Sequence, residues 1–389
     1  MLPVYDLLWR TGGPLAARIA RSRLGPHDER WAERLGQPST PRPPGPLIWL
    51  HAASVGEGVA LRGLARALRA EGFDGTLLAT AYTPTGAHSL ARDEELLAQH
   101  LPLDHPTWRR RFLDHWQPDA AAMLVGEVWP GLLAELDRRG VPVVLASDGM
   151  AGATRRCWQG LERLGLRTLS TFAAVLGEDL KMSAPPPSVD EVLRDALREA
   201  AGERTVLLGS SIHPGEQTPL HEAAAARDDV FLVLAPRHVE TSDLLVPSGA
   251  EPGAFGRRTQ GPPLRGHDVY VLDTLGELGA AYAAADVAFI GGSLLDLGGH
   301  SPTEAALLGC PSVIGPDVTN NAASTGELIA GGALRQGRDA AEVVGLLGEL
   351  LGDPEARASM RAAADEVTAS WWEPGLRAAR QVLALAARR

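Results

Sequence analysis

Among the carboxylates of this chain, Glu57 stands in the setting best suited to chemistry. It belongs to His51-Ala52-Ala53-Ser54-Val55-Gly56-Glu57-Gly58, which joins an apolar run, Leu47 to Ala53, to a segment of helical pattern, Gly58 to Glu71. Glycines at such a junction let the backbone approach a ligand, and the N–H groups of the helix start face anions. A carboxylate here has two readings. It favours the positive end of the helix, or it acts as general base toward an acceptor hydroxyl.

Four further segments end strand-like runs with polar groups. Gly209-Ser210-Ser211-Ile212-His213-Pro214-Gly215-Glu216 offers hydroxyls and backbone donors to a phosphate or sugar oxygen, with Ser211 the candidate, although polar loops after strands are common. Leu234-Ala235-Pro236-Arg237-His238 delivers a guanidinium and an imidazole on a backbone stiffened by proline. In Asp273-Thr274-Leu275-Gly276-Glu277-Leu278, Asp273 or Thr274 reads as a helix cap with Glu277 as its box partner, leaving Gly276, Glu277 and Leu278 as a backbone contact. Gly315-Pro316-Asp317 with Asn320-Asn321 reads as an Asx turn before a sugar contact.

The most informative segment runs from Gly291 through Gly298-Gly299-His300-Ser301-Pro302-Thr303-Glu304 to Ala306. Its order is strand, glycine-rich loop, helix. Ser301 is expected as N-cap and Pro302 at the first helical position, with open N–H groups behind Gly298 and Gly299 for a phosphate. Glu304, one turn in, can accept hydrogens from two ribose hydroxyls.

These groups need strands to hold them, and the chain supplies two sets. The first comprises Leu47 to Ala53, Thr76 to Ala81, Ala121 to Val125, Val141 to Ala146 and Ala173 to Leu176; the second, Thr205 to Gly209, Val230 to Ala235, Val269 to Leu272, Val287 to Ile290 and Pro311 to Ile314. Alternation with helical stretches predicts an α/β fold of two doubly wound, Rossmann-like domains facing a central cleft, with ligands at the strands' carboxyl ends. The proline-rich stretch Pro38 to Pro46 and the stiff Ala184-Pro185-Pro186-Pro187-Ser188 read as linkers. They delimit an N-terminal domain 1–183, its basic segment and linker 1–45 included, a C-terminal domain 184–370, and a helix over 371–389 that crosses back or caps the second domain.

At 389 residues the chain exceeds what one core usually serves. A net charge of -11 gives no general attraction to nucleic acid, so an anionic ligand must meet local cations. Cys157 and Cys310 form no metal or disulfide pattern and read as reduced thiols of a cytoplasmic protein. No run has the length of a membrane-spanning helix, and the first residues lack the core of a signal peptide. Leu2 to Leu24 combines Leu7, Leu8, Trp9, Leu15 and Ile19 with Arg10, Arg18, Arg21 and Arg23, a pattern that suits either an anionic membrane surface or packing on the domain.

In order and spacing these segments resemble the bacterial 3-deoxy-manno-octulosonic acid (Kdo) transferases, glycosyltransferase family 30. The resemblance rests on Ser54-Val55-Gly56-Glu57, Glu127-Val128-Trp129-Pro130, Pro236-Arg237-His238, Asp273 to Leu278 and Gly291 to Glu304, with Arg30 to Gly36 and Asp179-Leu180-Lys181 in support. It implies a GT-B fold, CMP-Kdo as donor, a lipid A precursor as acceptor, no cofactor or obligatory metal, and inversion with Glu57 as base. It assigns Ser54, Gly56 and Glu127 to the acceptor, and Ser211, Arg237, His238, Gly276, Glu277, Leu278, Gly298, Gly299, His300, Ser301 and Glu304 to the donor. It also implies a place on the cytoplasmic face of the inner membrane.

The chain departs from the family pattern on the acceptor side. Val125-Gly126 stands where the family has an acidic residue and Thr, and Ser147-Asp148-Gly149 where it has Asn-Ala-Arg. Ser301 replaces an Asn and keeps its capping ability. Three alternatives therefore stand beside the leading one: a related transferase with another glycan or lipid acceptor, a nucleotide-binding protein without turnover, and a nucleotide-sugar epimerase of like fold.

Overall fold

The computed structural model describes residues 2–24, 28–124, 129–146, 172–176, 180, 182–246 and 254–388. Contacts divide the chain into two units, Met1–Pro185 with Trp371–Arg389, and Pro186–Ser370. Glu127, Val125-Gly126, Ser147-Asp148-Gly149, Cys157, Asp179 and Lys181 lie outside the described residues.

The first unit begins with α1 (Leu2–Leu24) and α2 (Trp31–Arg34), then alternates strand and helix: β1 (Leu47–Ala52), α3 (Val55–Ala70), β2 (Thr76–Ala81), α4 (Pro84–Leu90), β3 (Leu97–His100), α5 (Pro106–Trp116), β4 (Ala120–Leu124), α6 (Pro130–Arg138), β5 (Val143–Ala146) and β6 (Phe172–Leu176). The strands lie in the order β3-β2-β1-β4-β5-β6, the doubly wound Rossmann order, and all pair in parallel. β1 shows why its sequence is apolar at every position but His51. Leu47 and Trp49 enter a core with Phe112, Trp116 and Leu136, whereas Ile48, Leu50 and Ala52 enter another with Leu61, Leu64 and Leu68. A strand covered on both faces has no solvent side to carry polar residues.

The second unit contains α7 (Glu191–Ala201), β7 (Thr205–Ile212), α8 (Gln217–Ala225), β8 (Val230–Pro236), β9 (Phe255–Arg257), β10 (Val269–Val271), α9 (Leu278–Ala284), β11 (Val287–Ile290), α10 (Thr303–Leu307), β12 (Ser312–Ile314), α11 (Ala322–Ala330), β13 (Leu334–Gln336), α12 (Ala340–Gly352) and α13 (Pro354–Ser370). Its parallel sheet has the order β13-β12-β11-β7-β8-β10-β9. Leu207, Leu232, Phe289 and Val313 form its core with Leu220, Leu347 and Leu350.

Three observed strands, β3, β9 and β13, carry no long apolar run, and each sits at a sheet edge with a single neighbour. An edge strand is covered less completely, so the partly exposed Arg257 and Arg335 are tolerated, while Gln99 is buried but donates to Ser39 Oγ at 3.0 Å, and the sequence signal fades. β7 also runs to Ile212, through residues expected to be loop, with a register shift between Ser210 and Ile212. Ser211 takes the left-handed φ of 52° at this shift, a conformation that is sparsely populated for a residue with a side chain.

The last helix, α14 (Trp372–Ala386), belongs to the first unit and packs on α3, with Ala378, Ala379 and Val382 in the α3-side core. Ser183 secures the return. Its hydroxyl donates to the carbonyl of Trp371 at 2.6 Å and accepts the N–H of Gly375 at 3.1 Å. Arg66 lies over the Trp372 ring, 4.7 Å from its centroid, and Arg380 pairs with Glu71. Replacing Ser183 with Ala strips a buried N–H of its acceptor and should destabilise the first unit by about 1–2 kcal/mol in denaturant unfolding; an unchanged midpoint would show that apolar packing alone holds α14.

Candidate functional site

In the first unit the candidate residues cluster where β1 ends and α3 begins. Strand order reverses across β1, whose neighbours are β2 and β4, and ligands of open parallel sheets bind outside the carboxyl ends at such a point. Ser54 occupies the N-cap position of α3, and its side chain makes no capping bond. Gly56 and Glu57 follow in the first turn. One oxygen of Glu57 accepts the N–H of Ala53 at 2.5 Å, which fixes the carboxylate at the strand end. Among the described residues, the second oxygen makes no hydrogen bond and Glu57 forms no ion pair. Both readings of Glu57 therefore have a structural counterpart: one oxygen serves the turn, and one is available.

His51, next to this turn, is a structural residue. It is buried, and burial pushes its imidazole down to about 4, so the ring is neutral at ordinary pH. Its Nδ1 meets the hydroxyl of Thr80 at 2.9 Å, the same hydroxyl that accepts Trp49 Nε1–H at 2.9 Å.

In the second unit the order reverses across β7, and the segments after β7, β8 and β11 come together. His213 Nε2 lies 2.9 Å from His300 Nε2 with the rings stacked, and the His238 ring stands 5.7 Å from that of His213. Burial, then the neighbouring Arg237 charge and His213, push His300 down to about 4; burial likewise lowers His213. Gly292, at φ 67°, makes room for this ring, because a Cβ there would stand 2.9 Å from His300. Arg237 and His238 are exposed, and Arg237 forms no ion pair among the described residues.

The glycine-rich loop is held by two carboxylates. Buried Glu216 accepts N–H groups from Gly292 at 2.7 Å, Ser293 at 3.0 Å, Leu294 at 3.1 Å and His213 at 3.0 Å. Asp317 accepts the N–H of Gly298 at 2.5 Å, and also closes the expected Asx turn on Thr319. Asn320 and Asn321 donate to the carbonyls of Leu297 and Gly299. Sequence reasoning placed Glu216 and Asp317 in candidate loops without assigning either to this task.

Three expectations need correction, and the backbone-only reading of Gly276 to Leu278 stands. The N–H groups of Gly298, Gly299 and His300 are not open to a phosphate, since Asp317 Oδ2, the Gly292 carbonyl and the Gly291 carbonyl accept them. Ser301 lies one residue before the N-cap position, which Pro302 fills; α10 starts at Thr303, and the Ser301 hydroxyl accepts the Thr303 N–H at 3.4 Å. Asp273 does not cap α9 but accepts the N–H and hydroxyl of Thr259. The Glu277 carboxylate is engaged by Arg258, at 2.8 Å, and by the hydroxyl of Thr274, leaving Gly276 to Leu278 only their backbone for a ligand. Gly276 keeps a left-handed φ of 88°. Among the described residues, the groups left exposed at this end include Arg237, His238, whose Nδ1 lies 3.9 Å from Glu240, and the start of α10, where Glu304 is exposed.

Glu216→Gln removes the negative charge that holds four N–H donors, keeps one neutral carbonyl oxygen and turns an amide N–H₂ toward the others. The second unit should lose roughly 3 kcal/mol in chemical denaturation, and a loss below about 1 kcal/mol would remove Glu216 as the organiser of the loop.

Residues 29–183 match the family model described as 3-deoxy-D-manno-octulosonic-acid transferase (kdotransferase). The 3-deoxy-D-manno-octulosonic acid transferase of Bordetella pertussis is 32% identical, with 94% of this chain and 95% of that protein covered. That of Haemophilus influenzae is 31% identical, covering 75% of this chain and 76% of the relative. Among solved structures, the glycotransferase of kitacinnamycin covers 88% of this chain at 17% identity with a TM-score of 0.51, a likeness of fold that is of the GT-B class. By sequence identity carried over nearly its full length, the chain belongs to the 3-deoxy-D-manno-octulosonic acid (Kdo) transferase family of glycosyltransferases.

Proposed function

We propose that this protein transfers Kdo from CMP-Kdo to a hydroxyl of a lipid A precursor, with inversion at the anomeric carbon. The observation that carries the reading is the division of chemical groups between the units. The first holds a carboxylate, Glu57, free of ion pairs among the described residues at the β1 switch point; the second holds Arg237 and His238 beside a clamped glycine loop. In the step proposed, Glu57 takes the proton of the acceptor hydroxyl as the new C–O bond forms. The bond from the anomeric carbon to the phosphate oxygen breaks, and its electron pair leaves with CMP. Arg237 and the N–H groups at the start of α10 meet the charge on the departing phosphate, and Glu304 holds the ribose hydroxyls. Ser211, His238, His300, Ser301 and the backbone of Gly276 to Leu278 complete the donor side; Gly298 and Gly299 act by shaping the loop. Ser54, Gly56 and Glu127 are assigned to the acceptor.

The roles of the units follow from this: the first binds the acceptor and the second the nucleotide sugar. We assign no metal to the step, because Arg237 and backbone dipoles are given the phosphate charge. No helix among the described residues is long and apolar enough to cross a membrane. Contact with the cytoplasmic face of the inner membrane, where a lipid acceptor is met, is therefore assigned to the surface of α1. A second reading, transfer to a different glycan or lipid, is favoured by Val125-Gly126 and Ser147-Asp148-Gly149, which lack the acidic and Arg groups expected for a phosphorylated acceptor.

Purified protein with enzymatically generated CMP-Kdo and a lipid A precursor should release CMP and raise the acceptor mass by one or more Kdo residues. Glu57→Ala should lower kcat by roughly 10²–10⁴ with donor KM little changed. Arg237→Ala should raise donor KM and lower kcat/KM by about 10²-fold. Equal activity of Glu57→Ala and wild type would sink the assignment of the base, and CMP release only with another acceptor would select the second reading. A chelator should leave kcat unchanged; a loss restored by added magnesium would place a metal in the step.

A further inference from the structure

Helix α1 (Leu2–Leu24) is fastened to the first unit by its inner face. Gly13 and Ala17 are buried, the Tyr5 hydroxyl donates to Asp104 at 2.8 Å, and Asp6 forms a two-pronged pair with Arg109 at 2.7 and 2.8 Å. Its outer face carries Val4, Leu7, Leu8, Leu15 and Ile19, which are 46–65% exposed. Spacings of three, four and seven place these side chains on one side of the helix. Among the described residues of its own unit, nothing covers this outward apolar stripe.

Beside this stripe lies a recess of about 540 Å³ between α1, α5 and α6. Arg10, Arg109, Arg110 and Arg138 line it, against two carboxylates, Asp6 and Glu135. Both carboxylates are already matched. Arg109 answers Asp6, while Arg138 at 2.5 Å and Arg139 at 2.9 Å answer Glu135. Arg110 is about half exposed and only 3.9 Å from Glu135, and Arg10 has no ion pair among the described residues. Arg10 is therefore unpaired among the described residues, Arg110 shares Glu135 with two closer arginines and keeps positive charge for an anion, and Leu7 belongs both to the wall of the recess and to the apolar stripe.

We propose that this recess is a headgroup site for the phosphate of an anionic phospholipid. The stripe of α1 lies in the outer part of a leaflet, and a phosphate of the same leaflet enters between Arg10 and Arg110. A soluble phosphate would have no use for the adjoining apolar stripe. The chain's net charge of -11 supplies no general attraction to an anionic surface, so the contact depends on these local cations. The inference rests on the reading that α1 faces a membrane; it adds a lipid site distinct from the donor and acceptor residues.

The test is flotation of the full chain with vesicles of phosphatidylcholine alone or mixed with phosphatidylglycerol. Wild type should bind the mixed vesicles and fail on the neutral ones. Arg10→Gln/Arg110→Gln should partition roughly tenfold or more less well, and Arg10→Lys/Arg110→Lys should recover most of the binding. Leu8→Glu/Leu15→Glu should abolish binding while leaving the thermal melt unchanged. Wild-type partition by the Gln pair, or equal binding to neutral vesicles, overturns the proposal. So does calorimetric binding of free glycerol phosphate without vesicle partition, which would make the recess a site for a soluble anion. CMP release with detergent-dispersed acceptor should be the same in the Gln pair and wild type; a parallel loss would assign the recess to the acceptor instead. Failure of wild type to release CMP at all would overturn the transferase reading and leave the vesicle result standing.

Discussion

Parallel strand pairing is the constraint from which the rest of this structure follows. Every recorded pair in both sheets is parallel, so each successive strand must be reached by a crossover, and helices cover the faces. The strand interiors become apolar, and polar side chains are displaced to the ends. At the carboxyl ends, where crossovers on either side of β1 and of β7 depart in opposite directions, the backbone opens and a ligand can meet N–H groups and side chains. Glu57, Ser211, Arg237 and His300 all occupy such ends.

Opening the backbone creates a second requirement, because a loop rich in glycine has many conformations available. Glu216 and Asp317 meet it with the same device, a carboxylate accepting backbone N–H groups. Such charge-assisted bonds are stronger than neutral ones, and Glu216 is buried, where competition from water is small. The cost is that the amides that make a glycine loop attractive to phosphate are largely consumed by the protein itself. In the function proposed, recognition of an anion is therefore assigned to Arg237, His238 and the start of α10, with the loop acting as a template.

The histidines divide along the same line. His51 is surrounded by the first unit's core and is held neutral by burial. His213 and His300 share a short Nε2 to Nε2 contact, which requires at least one neutral ring, while His238 stands exposed beside them. Cys310 is similarly inert, its thiol pushed up to about 12 by burial.

How much of this was legible in the sequence depended on whether a feature is local. Thr76 to Ala81 and Val287 to Ile290 were found at their observed limits, because a strand covered on both faces writes its burial as a largely apolar run, broken in the first only by Thr76 and Thr80, whose β-branched side chains suit a strand. The turn holding Glu57 and the order of the motifs were legible for the same reason: residues adjacent in the chain act together. Edge strands β3, β9 and β13 were not, since their assignment comes from a neighbour elsewhere in the chain. The role of Glu216 was also hidden. Three of its donors lie 76 to 78 residues away, and they are backbone N–H groups that nearly every residue carries, so no residue type marks them. By itself, then, the sequence determined the α/β class, the family likeness and the chemical groups on offer. Only the tertiary structure decided which of those groups are free to meet a ligand, because burial and hydrogen-bond partnership arise from contacts between segments far apart in the chain.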